Sequence, residues 1–253
     1  MNAEINIFPN LQKLSRYAAQ LFVEQSARAV QERGCFLVAL NGGSTPVVLF
    51  QYLAKEYRDQ VDWDKTHIFW GDERLVPAND PGNSYGQARD LLLRHIPIAD
   101  SNVHRVNTEL GSVDASRDYS LILKRFASAP LDWPRFDLVY LGMGEDGHTA
   151  SLFPSSPIEV TDPVLTVAAE YQDRPAQRVT LTPLVFNSAY MVIFMATGEK
   201  KAATLAEVLS DRYNPELYPA QRIDPKDGKL IWLIDEEAAS KLPHELIRKF
   251  CEG

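Results

Sequence analysis

Short apolar runs alternate along this chain with longer segments whose apolar positions recur every three or four residues. Leu11, Leu14, Ala18, Leu21 and Phe22 follow the helical spacing, which predicts an amphipathic helix reaching about Arg33 and stopped by Gly34. Cys35 to Leu40 is a continuous apolar run of strand length, broken by Asn41-Gly42-Gly43-Ser44-Thr45-Pro46. Helical periodicity returns from Val47 to Tyr57, with Pro46 suited to the first turn. The outline repeats: His67 to Trp70 reads as a short strand, Gly71-Asp72-Glu73-Arg74 follows its end, and Ser84 to about Arg94 reads as a helix. Another helix is predicted over Val113 to Ala129, then a buried strand over Leu138 to Leu141. Further strands are predicted at Val164 to Val167, Arg178 to Leu181, Tyr190 to Ala196 and Leu230 to Ile234. Helices follow the last two, from Thr197-Gly198 to about Leu209 and from Glu236 to Phe250, where Pro243 interrupts the pattern.

Wholly apolar strands alternating with helices indicate a mainly parallel sheet covered on both faces, a Rossmann-like α/β fold. No low-complexity linker and no fixed repeat interrupts the pattern, so residues 1–253 are expected to form a single domain.

Composition changes this picture little. Apolar residues make up 45% and charged residues 24%, the balance of an ordinary globular protein. A net charge of −8 argues against a nucleic acid or anionic membrane as partner, but an anionic small molecule answers to local charge. Cys35 and Cys251 match no metal or redox spacing. No basic-then-apolar leader opens the chain and no apolar run approaches about 18 residues, so a reducing, cytoplasmic setting is expected.

In open α/β sheets, ligands bind beyond the carboxyl ends of strands, and several loops there carry unusual polar content. Gly42-Gly43-Ser44-Thr45 places backbone N–H groups ahead of a helix, a preferred phosphate site. A plain turn capped by Ser44 or Thr45 is the alternative. Alternation puts Asp72 and Arg74 on one side of the chain and Glu73 on the other. Gly142-Met-Gly144-Glu-Asp146-Gly147-His148 follows the central strand; its three glycines let the backbone approach a ligand closely and take positive φ, and His148 is the residue there that moves protons near neutral pH. His67, His95, His104 and His244 are expected to be structural. Arg178 begins a strand, and Lys200 and Lys201 crowd a helix start, where cations oppose the dipole unless an anion is held there.

The glycines also satisfy the G-x-G-x-x-G dinucleotide pattern, but only about six residues separate Gly147 from Pro154, too few for the crossover helix. No second His or Cys sits at metal-ligand spacing, and Ser151 lacks a G-x-S-x-G elbow. What remains is a phosphate pocket beside a histidine base, without a metal or organic cofactor. Spacing alone leaves hydrolysis, isomerisation and simple sugar-phosphate binding open.

Gly42-Gly-Ser-Thr-Pro46, Trp70-Gly-Asp-Glu-Arg-Leu-Val-Pro77 and Gly142-Met-Gly-Glu-Asp-Gly-His-Thr-Ala-Ser-Leu-Phe-Pro154 resemble the 6-phosphogluconolactonase branch of the glucosamine-6-phosphate isomerase family. Arg178-Val-Thr-Leu-Thr182, Thr197-Gly-Glu-Lys-Lys-Ala202 and Leu230-Ile-Trp-Leu-Ile-Asp235 match in the same order. The deaminase branch carries Asp-Glu-Tyr where Asp72-Glu73-Arg74 stands, and Asn-Glu-Pro in place of the segment ending at Pro154. The resemblance implies a deaminase/ribose-5-phosphate-isomerase-like fold, opening of a phosphorylated sugar lactone, no cofactor, and a monomer or weak homodimer. It implies His148 as general base beside Asp146, Arg74 with Asp72 at the reacting end, and Lys201 as a phosphate ligand. Gly42, Gly43, Ser44, Thr45 and Arg178 complete that site. The role of Asn83-Ser84, where the family often reads Ser-Asn, is left open.

Overall fold

The computed structural model describes residues 3–154, 156–169 and 177–243. Seven strands form one parallel sheet: β1 (Ala3–Phe8), β2 (Phe36–Leu40), β3 (Thr66–Trp70), β5 (Val103–His104), β6 (Leu138–Gly142), β9 (Met191–Ala196) and β10 (Lys229–Asp235). Their spatial order is β1-β10-β9-β6-β2-β3-β5. Three more strands, β4 (Asp72–Arg74), β7 (Val164–Ala168) and β8 (Gln177–Leu181), pair antiparallel in a separate small sheet of order β4-β8-β7. The helices are α1 (Leu11–Arg33), α2 (Pro46–Lys55), α3 (Ser84–Leu91), α4 (Ser112–Lys124), α5 (Pro183–Phe186), α6 (Ala202–Val208) and α7 (Glu236–Ala239).

Parity along the strands decides which helix packs where. Phe36, Val38 and Leu40 face one side with Trp70, Tyr140 and Ile193, and α1, α2 and α3 cover them. Leu37, Ala39, Val139, Leu141, Phe194 and Trp232 face the other side, under α4, α6, α7 and the small sheet. Phe194 and Trp232 stack at 4.0 Å between centroids. Both faces being dry explains why these strands read as unbroken apolar runs rather than alternating ones.

The sequence expectation of a mainly parallel, doubly covered sheet holds, with three corrections. β1 lacks an apolar run because it is an edge strand; only Ile5 is buried, and pairing with β10 defines it. Asp72–Arg74 is a strand of the second sheet rather than a loop end, and the predicted strands at Val164 and Arg178 join it instead of the parallel sheet. The predicted closing helix ends at Ala239 and residues 240–243 are not helical; residues from 244 on, with His244 and Cys251, lie outside the described residues.

From β2 and β3 the chain moves toward one sheet edge, whereas β6, β9 and β10 lie toward the other. The boundary between β2 and β6 is therefore the switch point, where the loops leaving adjacent strands part to opposite faces and open a crevice. Leaving it are residues 41–45, ahead of α2, and residues 143–148.

Away from that crevice, His67 Nδ1 and His104 Nε2 meet at 3.1 Å, with both rings against Phe126. Burial, then the charges of His67 and Arg125, pulls the His104 imidazole down to about 4 from its ordinary 6.5. Between those values the unfolded chain binds the proton that the folded chain refuses, so this pair costs stability as pH falls from about 6.5 toward 4. Urea unfolding at pH 7 and pH 5 should show a smaller loss for His104→Gln than for the parent; equal losses would contradict this.

Candidate functional site

One cleft opens at the switch point, lined by Asn41 to Pro46, Asp72, Arg74, Ser84, Gly142 to Glu145, His148, Ala150, Arg178 and Lys201. It unites nine of the ten candidate residues; the tenth, Asp146, stands directly behind His148. The segments that build it are far apart in sequence, from α2, the small sheet, the loop after β6 and the start of α6.

The Asp146 carboxylate sets the imidazole of His148. Its Oδ1 lies 2.6 Å from His148 Nδ1 and also accepts the His148 backbone N–H at 3.1 Å. Burial opposes the charged carboxylate, but the His148 bonds and charge outweigh it and hold Asp146 below its ordinary value. With Nδ1 donating to a carboxylate, Nε2 is the nitrogen suited to accept a proton. Phe153 packs against the same ring at 4.5 Å and fixes its tilt.

Gly144 makes room for this pair. A methyl group there would overlap Nδ1 and Cε1 of His148 and lie 2.6 Å from Asp146 Oδ1. The three glycines were expected to allow close approach of a ligand and positive φ; of the three, Gly147 alone has positive φ, at 84°. No helix forms between Met143 and Pro154, as expected against a dinucleotide crossover. Instead Thr149 and Leu152 close a tight turn with reciprocal backbone bonds, tied to β6 by Thr149 Oγ1 donating to Gly142 O at 2.9 Å. Ser151 is fully buried, and its hydroxyl donates to Asp72 Oδ2 at 2.7 Å. That residue anchors Asp72 and is no nucleophile in this geometry.

Across the small sheet, Arg74 and Arg178 are direct partners. Like charges opposite one another on one sheet face repel, so this pairing suits a cleft that receives negatively charged groups. Arg178 is 2% exposed and its guanidinium lies over Phe153 at 5.3 Å. Arg74 Nη1 donates to Gly82 O at 2.6 Å. As alternation predicted, Glu73 points away from the cleft, and there its carboxylate receives three backbone N–H groups, from Arg74, Ser84 and Tyr85. Burial pushes the Glu73 carboxyl up to about 7, with those three donors pulling the other way.

At the α2 end, Thr45 makes no side-chain cap bond, so the alternative of a Ser44- or Thr45-capped turn is not what forms. Gly43 adopts φ 108°, a conformation glycine takes freely, and Pro46 occupies the first helical turn. The α2 N-terminal amides are thereby presented to the cleft. Lys201 reaches the same cleft from the short 3-10 turn before α6, whereas Lys200 is exposed. Asp235 steadies that turn by accepting the Gly198 N–H at 3.0 Å.

Sequence reasoning missed Asn41, Ser84, Glu145 and Ala150 as cleft-lining residues. Ser84 had a usable signal, since it follows the cap Asn83, which accepts the Gly86 N–H at 2.7 Å. Gly42 is pressed against Ser84, whose Oγ fills the space of a missing Cβ. Among the described residues, no group of three or more His, Cys, Asp or Glu is placed to hold a metal ion, and no helix is long and apolar enough to cross a membrane.

A family model described as glucosamine-6-phosphate isomerases/6-phosphogluconolactonase matches residues 9–232. The chain belongs to that family. Probable 6-phosphogluconolactonase 2 of Oryza sativa subsp. indica is 35% identical, with 96% of this chain and 91% of the relative covered. The 6-phosphogluconolactonase of Synechocystis sp. is 36% identical, covering 96% and 99%. The solved 6-phosphogluconolactonase of Trypanosoma brucei superimposes with a TM-score of 0.83 at 31% identity, covering 96% of this chain and 99% of the other. Membership makes the fold that of this isomerase and lactonase family, and five of the six motifs that suggested it contribute residues to the cleft.

Proposed function

We propose that this chain hydrolyses 6-phospho-D-glucono-1,5-lactone to 6-phospho-D-gluconate, the second step of the oxidative pentose phosphate pathway. One juxtaposition carries the reading. A carboxylate-oriented histidine shares a cleft with an uncapped helix N-terminus flanked by Lys201 and Arg178. The relatives named as lactonases at about this identity support the choice of reaction.

The phosphate binds at the Gly42-Gly43-Ser44-Thr45 turn, where the α2 dipole and backbone amides favour an anion, and Lys201 and Arg178 add charge. Binding energy from that remote group positions the lactone carbonyl near His148. His148 Nε2 takes a proton from water as the water oxygen bonds to the carbonyl carbon, and Asp146 stabilises the resulting imidazolium. Arg74, held by Gly82 O and set beside Asp72, faces the developing oxyanion. Collapse of the tetrahedral species breaks the bond to the ring oxygen, which receives the proton from His148. The product is a hydroxy acid that ionises.

The test measures lactone loss against its spontaneous opening, alongside ammonia release from glucosamine 6-phosphate. Accelerated lactone loss without ammonia is the expected result. Ammonia release, or binding of the phosphorylated sugar with no acceleration, would overturn the reading. In the same assay Lys201→Ala should raise KM about 10- to 150-fold, the equivalent of a charge-assisted contact of about 1.5–3 kcal/mol, with kcat little changed. An unchanged KM would remove Lys201 from the phosphate site.

A further inference from the structure

We infer that Glu73 is a positioning residue for the lactone-opening step proposed above, holding Arg74 and the first turn of α3 in fixed relation through one buried carboxylate. The side chain never reaches the cleft; it is fully buried on the opposite face of β4. Its Oε1 accepts the N–H groups of Arg74 at 2.8 Å and Ser84 at 2.7 Å, and its Oε2 accepts Tyr85 at 2.7 Å.

Those donors matter because of what they belong to. Ser84 and Tyr85 supply the first amides of α3, which lack partners inside the helix, and the next one, Gly86, is taken by the Asn83 side chain. The N-termini of α2 and α3 both border the cleft, and they are finished differently. The end of α3 is occupied by an anion belonging to the protein, while α2 has no side-chain cap bond and stays open to a ligand. Glu73 thereby completes the α3 end with the protein's own carboxylate.

The same carboxylate also fixes Arg74. Beyond the backbone bond to Arg74 itself, holding Ser84 and Tyr85 places the preceding Gly82, whose carbonyl accepts Arg74 Nη1 at 2.6 Å. Arg74 is therefore held from both ends, at its backbone by Glu73 and at its guanidinium by a carbonyl that Glu73 locates. This arrangement predicts a kcat role, because Arg74 serves the reacting end and the phosphate contacts lie elsewhere.

Glu73→Gln keeps the length and, with Oε1 toward Arg74 and Ser84, two of the three bonds. Glu73→Met keeps none. Steady-state hydrolysis should show kcat lowered about threefold in E73Q and about thirtyfold or more in E73M, with KM within about twofold, since a misplacement near 1 Å costs up to about 10²-fold. A folded E73M with unchanged kcat, or a loss that falls in KM, would overturn the inference. Should E73M fail to fold, E73Q decides: lowered kcat with faster amide exchange at Tyr85 supports the role, and an unchanged kcat defeats it. A parent protein without lactonase activity would refute the proposed function alone. The amide exchange of Tyr85 then decides, with a rate in E73Q equal to the parent's rejecting the hold on α3.

Discussion

His148→Ala should lower kcat for lactone opening by about 10²-fold or more, the usual contribution of a positioned general base. The imidazole is bonded at Nδ1 by Asp146 at 2.6 Å and packed by Phe153, so its orientation is set before substrate arrives. Removing it leaves the anion-binding turn, Lys201 and Arg178 intact, and KM should move little. The comparison needs matched folding, checked by circular dichroism and thermal melting, and subtraction of spontaneous hydrolysis. A rate within a few-fold of the parent would assign the proton transfer to another group.

Gly144→Ala should be nearly as damaging, though it touches no reacting atom. The added methyl would overlap the His148 ring and crowd Asp146 Oδ1 at 2.6 Å, so the pair must separate or the loop must shift. Gly144 N also donates to His148 O at 2.9 Å, which leaves the backbone little freedom to yield. We expect kcat to fall about 10²-fold, because displacement of a catalytic group by near 1 Å costs that much. The signature that separates this from general destabilisation is a KM close to that of the parent. A variant with normal kcat would mean that His148 works from a position other than the one described.

Much of the site was legible because its residues cluster in short, chemically unusual segments. Gly42-Gly43-Ser44-Thr45 ahead of a helix, the Asp72/Glu73/Arg74 alternation and His148 among glycines each announced themselves by residue type. Lys201 was separated from Lys200 by the family pattern, and the structure places Lys201 alone of the two in the cleft. The supporting layer was not legible. Nothing local to Ser151 says that it bonds Asp72, 79 residues earlier in the chain. Glu73 reads as one of three charged neighbours until its carboxylate is seen beneath α3. Gly144 was read as an approach for ligand, when the group approaching it is His148 of the same loop.

The strands show the same division. Apolar runs at β2, β6, β9 and β10 identify themselves, because a strand covered on both faces has no polar positions to alternate with. β1 does not, being an edge strand defined by its partner, and β7 and β8 identify themselves as strands but not as members of a separate sheet with β4. Residue order thus determined the parallel α/β core, the loops at its strand ends and the types of side chain available there, since propensity, periodicity and acid–base character are local properties. Folding in three dimensions decided that the loops after β2 and β6 part at one switch point, that Arg74 faces Arg178, and that α3 is closed by Glu73 while α2 stays open. Those are long-range pairings, set by packing and by the cost of leaving buried polar groups without partners, and no window of sequence contains them.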